Sequence, residues 1–437
     1  MPDSSSPDSP HSETRPAAPQ RWWSGPLAPF TVRSFRFQWP SDLLVSWAFD
    51  MENLILGWFV LTETGSVTYL TLYGSLIFVG TLLAPFSGVL GDRIGRRTTL
   101  CLTRAFLMLL ATCVMTLALL DLLHPLHTLI IALLIGLVRP SDQVMRNALI
   151  GDTMTPAMLT SALGLARMTM DSARIFGSLA GAGLFAALGI GPAYIGIVIC
   201  YIASFLLTFG VAHVPAANAP SNQPSGQGPR GVIARQWRDL RDGLAYAWNA
   251  PSVTGLMLLA FLLNFSAFPL SHHLLPHVAK DIYHLDATGL SHLISTFAVG
   301  ALIGSLIMTM TRGGAHSPRF MLINVVLWYA IIIGFAWTQT KISGLVILFV
   351  MGIVHNLAMV SLSAVLLHGV EARFRARIMG IRMLVVYGLP IGLLLAGAMI
   401  EHMGYAITAT LYCIMGIAVT AYIAVHWRQT LWRTAQS

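Results

Sequence analysis

Eight of the ionisable side chains in the first half of the chain that stand inside otherwise apolar runs fall into three groups. They are Asp50 and Glu52, then Arg139, Asp142 and Arg146, then Arg167, Asp171 and Arg174. A charge in hydrocarbon is expensive, so such residues mark ion or substrate pathways, or neutralise one another. Arg139, Asp142 and Arg146 stand at i, i+3 and i+7, on one helix face, and Arg167, Asp171 and Arg174 at i, i+4 and i+7 do the same. Two helices built this way can face each other with complementary charges. Asp50 and Glu52 are two apart and point to nearly opposite sides of one helix. Asp50, with Trp47, Asn53 and Leu54 beside its face, is the one assigned to a central cavity.

The chemistry this suggests is proton exchange. Burial disfavours a charged carboxylate and a neighbouring arginine favours it. A conformational change that alters those neighbours binds or releases a proton. The proton carriers expected are Asp50 or Glu52 together with Asp142 or Asp171. The same spacing equally suits Arg139/Asp142 and Arg167/Asp171 as neutralising pairs that hold the helices together, and Arg146 and Asp152 at the membrane edge read as structural. In the second half the polar side chains deep in apolar runs are Asn264, His355 and Asn356. They either line the cavity by hydrogen bonding or, for His355, pack as an ordinary histidine. His272, His273 and His277 read as solvent-edge histidines. No metal site is expected. Cys101, Cys113, Cys200 and Cys413 show no paired spacing and read as buried free thiols.

The elements that must position these residues follow from composition. Of 437 residues 55% are hydrophobic and 10% charged. A soluble domain carries about 25% charged residues, so lipid must be the solvent. Twelve apolar runs can be traced: Trp39–Leu61, Tyr69–Leu90, Leu100–Leu122, Leu126–Ile150, Leu159–Leu188 and Pro192–Val214, then Val253–Pro276, Leu290–Met310, Phe320–Trp337, Ser343–His368, Ile378–Glu401 and Gly404–Val425. Each is long enough for a helix across a bilayer. The expected organisation is a disordered tail (1–32), a six-helix bundle (33–214), a linker with an amphipathic helix (215–249), a second six-helix bundle (250–427) and a short tail (428–437). Arginines fall in the loops of one side, which places both termini and the linker in the cytoplasm. That placement also accounts for the net charge of +8 without a nucleic-acid partner.

Small residues repeat at equivalent places in the two halves. Gly177/Gly181, Gly300/Gly304 and Gly388/Gly392 lie in the fifth, eighth and eleventh runs, and Gly80, Ser87 and Gly88 in the second. Such pairs let helices approach closely, and here they are expected to line a sliding interface between the halves.

After the second run the sequence reads Gly88-Val-Leu-Gly91-Asp92-Arg93-Ile94-Gly95-Arg96-Arg97. This resembles the loop that marks the major facilitator superfamily. The resemblance implies an all-α membrane protein of twelve helices in two six-helix bundles. It also implies that Asp92 latches the cytoplasmic side, with Arg377 or Arg382 as partner. Phe35-Arg36-Phe37, Arg146 to Asp152, Ala173 to Gly177 and Arg375 to Gly380 are similar to the bacterial branch related to the enterobactin exporter. A Gly-Pro pair common in proton antiporters is absent from the fifth run, where Gly177 is followed by Ser178.

No phosphate-binding glycine loop, nucleophile–base pair or metal-ligand cluster is present, so neither an enzyme nor a cofactor is expected. The expectation is a monomeric, proton-coupled exporter of a siderophore or similar amphipathic molecule in a bacterial inner membrane. The alternatives are a multidrug efflux pump and an importer or lysophospholipid flippase of the same fold.

Overall fold

The computed structural model describes residues 25, 27–83, 91, 94–212, 251–310, 317–368 and 385–428. Helices occupy nearly all of them because a backbone in lipid must satisfy its N–H and C=O groups internally. The first bundle contains α1 (Arg33–Thr64), α2 (Val67–Leu76, running on through a turn at Val79–Leu83), α3 (Arg96–Leu119), α4 (Pro125–Thr153), α5 (Pro156–Ser172, then Ala173–Gly177 and Ser178–Leu188) and α6 (Ile190–Thr208). The second contains α7 (Val253–Ile282), α8 (Ala287–Met310), α9 (Pro318–Ala336), α10 (Lys341–His368), α11 (Gly388–Met403) and α12 (Tyr405–His426). Among the described residues nine of these helices are long and apolar enough to cross a membrane unaided. Leu102, Leu109, Leu206, Ile323, Val346 and Ile414 project outward, where lipid would meet them. The side on which α1 begins is called the near side, and the side on which α1 passes to α2 the far side.

The glycines report the repeat, but not at the expected interface. A Cβ on Gly80 of α2 would stand 2.1 Å from the Gly136 carbonyl oxygen of α4, and one on Gly300 of α8 would stand 2.1 Å from the Phe349 carbonyl oxygen of α10. Gly181 of α5 backs onto Met51 of α1 at 2.9 Å, and Gly392 of α11 onto the Phe265 carbonyl oxygen of α7 at 1.8 Å. The α2–α4 and α8–α10 contacts are equivalents, as are α5–α1 and α11–α7. The small residues therefore seal each bundle internally; the expectation of a sliding face between bundles is corrected for these pairs. Contact between bundles runs through α2 with α11 and α5 with α8, where Ser75 Oγ donates to the Pro390 carbonyl at 3.2 Å and Ser178 and Ser295 hydroxyls lie 3.3 Å apart.

Two helices depart from regular winding. In α5 a π-turn spans Ala173–Gly177. In α7, π-turns span Leu263–Ala267, Pro269–His273 and Val278–Ile282. Pro269 has no N–H to give the Phe265 carbonyl, so the bonds lengthen by a residue and Phe268 N–H reaches Leu263 instead. Such turns re-aim side chains and concentrate at functional sites.

Candidate functional site

Two charged groups occupy the first bundle, and they differ in how completely they are compensated. Toward the near side four side chains form a closed set: Asp42 of α1, Arg104 of α3, and Asp142 and Arg146 of α4. Arg104 Nε lies 3.3 Å from Asp142 and its outer nitrogen pairs with Asp42. Arg146 pairs with Asp142 and stands 3.5 Å from Asp42. Hydrogen bonds outside the pairs add to this: Arg104 gives to Thr208 of α6 at 2.7 Å, Arg146 to Ser46 at 3.0 Å, and Gln38 caps the Arg146 carbonyl at 3.0 Å. Two carboxylates face two guanidiniums, so the set is neutral as a whole. Arg104 is fully buried. A cavity of about 90 Å³ lies beside it, lined among others by Asp42, Arg146, Gln143 and Thr169.

This corrects the sequence reading in two respects. Asp142 pairs with Arg104 and Arg146, not with Arg139. Charges on α4 are met by α1 and α3, not by a charged face of α5. Asp42 and Arg104 were missed. Each is a lone charge near a run's end, which reads from sequence as snorkelling to the headgroups; only their convergence reveals a site. The signal that was available is that Asp42 and Asp50 stand eight apart on one helix, with Ser41 and Ser46 beside the first.

Deeper, Asp50 and Glu52 diverge from α1 to different neighbours. Glu52 is buried against α6, where Tyr201 donates to one oxygen at 2.9 Å and Tyr194 to the other at 3.5 Å. Asp50 is half-buried and turned toward α5; a Cβ on Gly177 would stand 3.3 Å from its Cβ. The guanidinium of Arg139 lies over the Phe49 ring, 3.1 Å from its centroid. From there its charge acts on both Asp50 and Glu52. Arg174 is half-buried on the π-turn of α5, and one residue on, the Ile175 carbonyl accepts from Ser295 Oγ of α8 at 3.4 Å. Arg174 thus sits where the bundles meet. Arg167 and Asp171 form a pair along α5 at 3.4 Å, with the arginine side chain 60% exposed.

The second bundle answers with rings. His355 of α10 is buried among Trp328 (centroids 4.6 Å), Phe268, His272 and Phe297 (each 5.3 Å). His272 Nδ1 meets Ser271 Oγ at 3.1 Å, but its Nε2 has no partner, nor do His355 Nδ1, Trp328 Nε1 and Asn356 Oδ1. Buried polar atoms are nearly always bonded, so the three orphans on the contacting rings of His272, Trp328 and His355 mark where a polar ligand or water would be held; Asn356 instead backs onto Gly304 of α8. His272 and His273 are therefore not solvent-edge residues; His273 packs edge-on against Phe78 of α2 at 5.4 Å. Asn264 is spent on its own helix, donating to the Ala260 carbonyl at 2.9 Å. Cys113 is exposed rather than buried, and the four cysteines are free thiols. Among the described residues no group of three or more metal-capable side chains forms.

Of the loop after α2, Gly91, Gly95, Arg96 and Arg97 are described; Gly88, Asp92, Arg93, Arg377 and Arg382 lie outside the described residues, as does the 215–249 linker. Gly95 has φ +92° at the start of α3, a conformation that needs glycine. Arg96 pairs with Asp152 of α4 at 2.5 Å, and Arg97 donates to the Phe209 carbonyl after α6. These contacts fasten the loop to its own bundle.

Twelve helices in two repeated bundles, with charges in one interior and rings in the other, define a membrane transporter of the major facilitator type and not an enzyme. The sequence belongs to the transmembrane secretion effector family, matching it over residues 24–436. No curated protein matches the sequence. Among solved structures it is similar to the human organic anion transporter TETRAN, at 15% identity and TM-score 0.63 over 90% of this chain and 99% of that one. It is also similar to the POT family transporter PepTSo, at 13% identity and TM-score 0.68 over 92% of this chain and 99% of that one. A bacterial homolog of the human lysosomal transporter Spinster, inward-facing and unoccupied, aligns at 13% identity and TM-score 0.68 over 92% of this chain and 98% of that one.

Proposed function

We propose that the protein is a proton-coupled exporter that works by alternating access, with Glu52 and Asp50 as proton carriers. The observation that carries this reading is Glu52: a buried carboxylate whose two oxygens accept from tyrosine hydroxyls, with Arg139 in electrostatic reach. A carboxylate held this way changes its proton occupancy when the arginine or the tyrosines move. Asp50 borders α5 and shares Arg139 and Arg174, so it responds to motion of that helix. Asp142 is assigned a structural role, since Arg104 and Arg146 already balance it.

The cargo we infer is an amphipathic organic anion of siderophore size. Arg174 would meet its negative charge, and the His272–Trp328–His355 cluster its polar and aromatic parts. Likeness of several segments to the enterobactin-exporter branch supports that choice. The arginine-rich near side is assigned to the cytoplasm, the membrane to a bacterial inner membrane, and the working unit to a monomer.

Reconstitution into liposomes holding a pH-sensitive dye tests the reading. Under an imposed proton gradient, siderophores, cationic drugs and lysolipids are added in turn. Substrate-dependent proton flux that disappears in Glu52→Gln or Asp50→Asn is the expected result. Full coupling in both variants would overturn the assignment of the carriers, and flux with lysolipids alone would replace export of an anion by lipid movement.

A further inference from the structure

The turn between α1 and α2 is short. Gly65, at φ +64°, ends α1, and Ser66 is the N-cap of α2. Two helix ends therefore lie side by side on the far side, with opposite partial charges: exposed carbonyls at the end of α1 and exposed amides at the start of α2. The second bundle places a charge of the matching sign on each. Glu401, near the end of α11, accepts from Ser66 Oγ at 2.5 Å and from the Thr68 backbone N–H at 3.1 Å. Lys280, in the last π-turn of α7, donates to the Leu61 carbonyl at 2.8 Å. Leu61 also receives the Gly65 N–H at 3.0 Å, the closing bond of α1, so Lys280 takes up the second lone pair of a carbonyl at the negative end of that helix. Asp281 does not compete for Lys280, because it is engaged by His277 at 2.7 Å.

We infer that Glu401 and Lys280 form a clamp on the α1–α2 turn, and that this clamp holds the far side shut. Both residues belong to the second bundle and both grips fall on the first. Opening the far side must break both at once. The lower contacts of the same helix pair, Ser75 with Pro390 and Tyr387 with the Val79 carbonyl at 2.9 Å, are neutral. The charged grips therefore sit at the rim, where water can solvate them as they part. A carboxylate that caps a helix of the opposite bundle is also the device that the resemblance of the Gly88–Arg97 loop assigns to Asp92. Glu401 does the same from α11 onto the start of α2. The place of the clamp in a transport cycle rests on the alternating-access reading, but the clamp itself does not depend on cargo or coupling ion.

Distances across the far side test it without transport. Cysteines 101, 113, 200 and 413 are replaced by serine, and spin labels are placed at Thr62→Cys and His402→Cys in full-length protein in nanodiscs. A near-side pair, Thr98→Cys with Arg428→Cys, serves as the complement. The parent should show a short far-side distance. Glu401→Gln and Lys280→Met should each shift the closed-to-open ratio about 5-fold toward a long distance, on the scale of losing one helix-end interaction, and the double variant about 25-fold. The near-side distance should shorten in step. Ser66→Ala, which removes one donor and no charge, should move the same ratio in the same direction by less. An unchanged far-side distance in the double variant overturns the clamp. So does an equal shift from Glu63→Gln, an exposed charge on the same turn, because that would be a bulk charge effect. Failure of the dye assay with an intact distance shift would overturn proton coupling and leave the clamp standing.

Discussion

The charged set at Asp42, Arg104, Asp142 and Arg146 and the set around Asp50 and Glu52 share α1, lie in one bundle and are built from the same residue types. They differ in closure. In the first, every carboxylate has two guanidiniums within 3.5 Å, and hydroxyls and an amide take up further donors and acceptors. In the second, Glu52 is held by two phenols and Arg139 lies over an aromatic face. A closed set resists any change in protonation because each charge is already balanced. An open one leaves its carboxylates sensitive to what moves nearby. Buried charges alone do not distinguish a strut from a working group; compensation does.

The sharpest way to break this comparison is Arg104→Met. Removing one member of the closed set leaves a buried carboxylate uncompensated, and the protein should lose about 3–5 kcal/mol of stability. Thermal unfolding in detergent reads this, and an unchanged midpoint would mean the set is not a strut. Arg139→Met comes next. It removes a cation from the Phe49 face at a cost of about 0.5–2 kcal/mol, and it should also change the pH dependence of transport because Asp50 and Glu52 lose their shared cation. Glu52→Gln should change stability by less than about 1 kcal/mol, since an amide can still accept from one tyrosine and donate to the other. Gradient-driven transport should nonetheless fall at least about tenfold, on the scale of a lost general acid–base group. A stability loss as large as that of Arg104→Met would erase the distinction between the two sets. Smallest in its effect on transport, Trp328→Phe removes an indole N–H that has no partner, and cargo affinity, read by equilibrium binding, should drop. Trp328 is fully buried, so the cavity left by the smaller ring should also cost about 1–3 kcal/mol of stability.

Reading the sequence located the helices well because lipid leaves the backbone few choices. A run of about 20 apolar residues must be a helix, and arginine placement then orders the runs. The loop Gly88 to Arg97 named the superfamily by itself. Site residues were legible one at a time: Asp50 and Glu52 stand out as charges in an apolar run, and their divergence follows from a spacing of two. Partners were less legible. The i, i+3 spacing of Arg139 and Asp142 suggested a pair, yet Arg139 turns to Phe49 because Asp142 finds two better-placed guanidiniums, one of them from another helix. His272 and His273, placed by hydropathy at a solvent edge, pack against rings of α2, α8 and α10, and two π-turns, one before and one including them, rotate α7 away from a regular 3.6-residue register.

Sequence alone determined the fold class and the superfamily, because those depend on local hydrophobicity and on one contiguous motif. Tertiary structure decided which charges neutralise one another, which glycines seal a bundle, and that Glu401 and Lys280 reach the α1–α2 turn. These contacts join residues far apart in the chain, 335 positions in the case of Ser66 and Glu401. Spacing along a helix fixes the face on which a side chain lies. What stands opposite that face is set by how helices pack, and packing is a property of the whole chain.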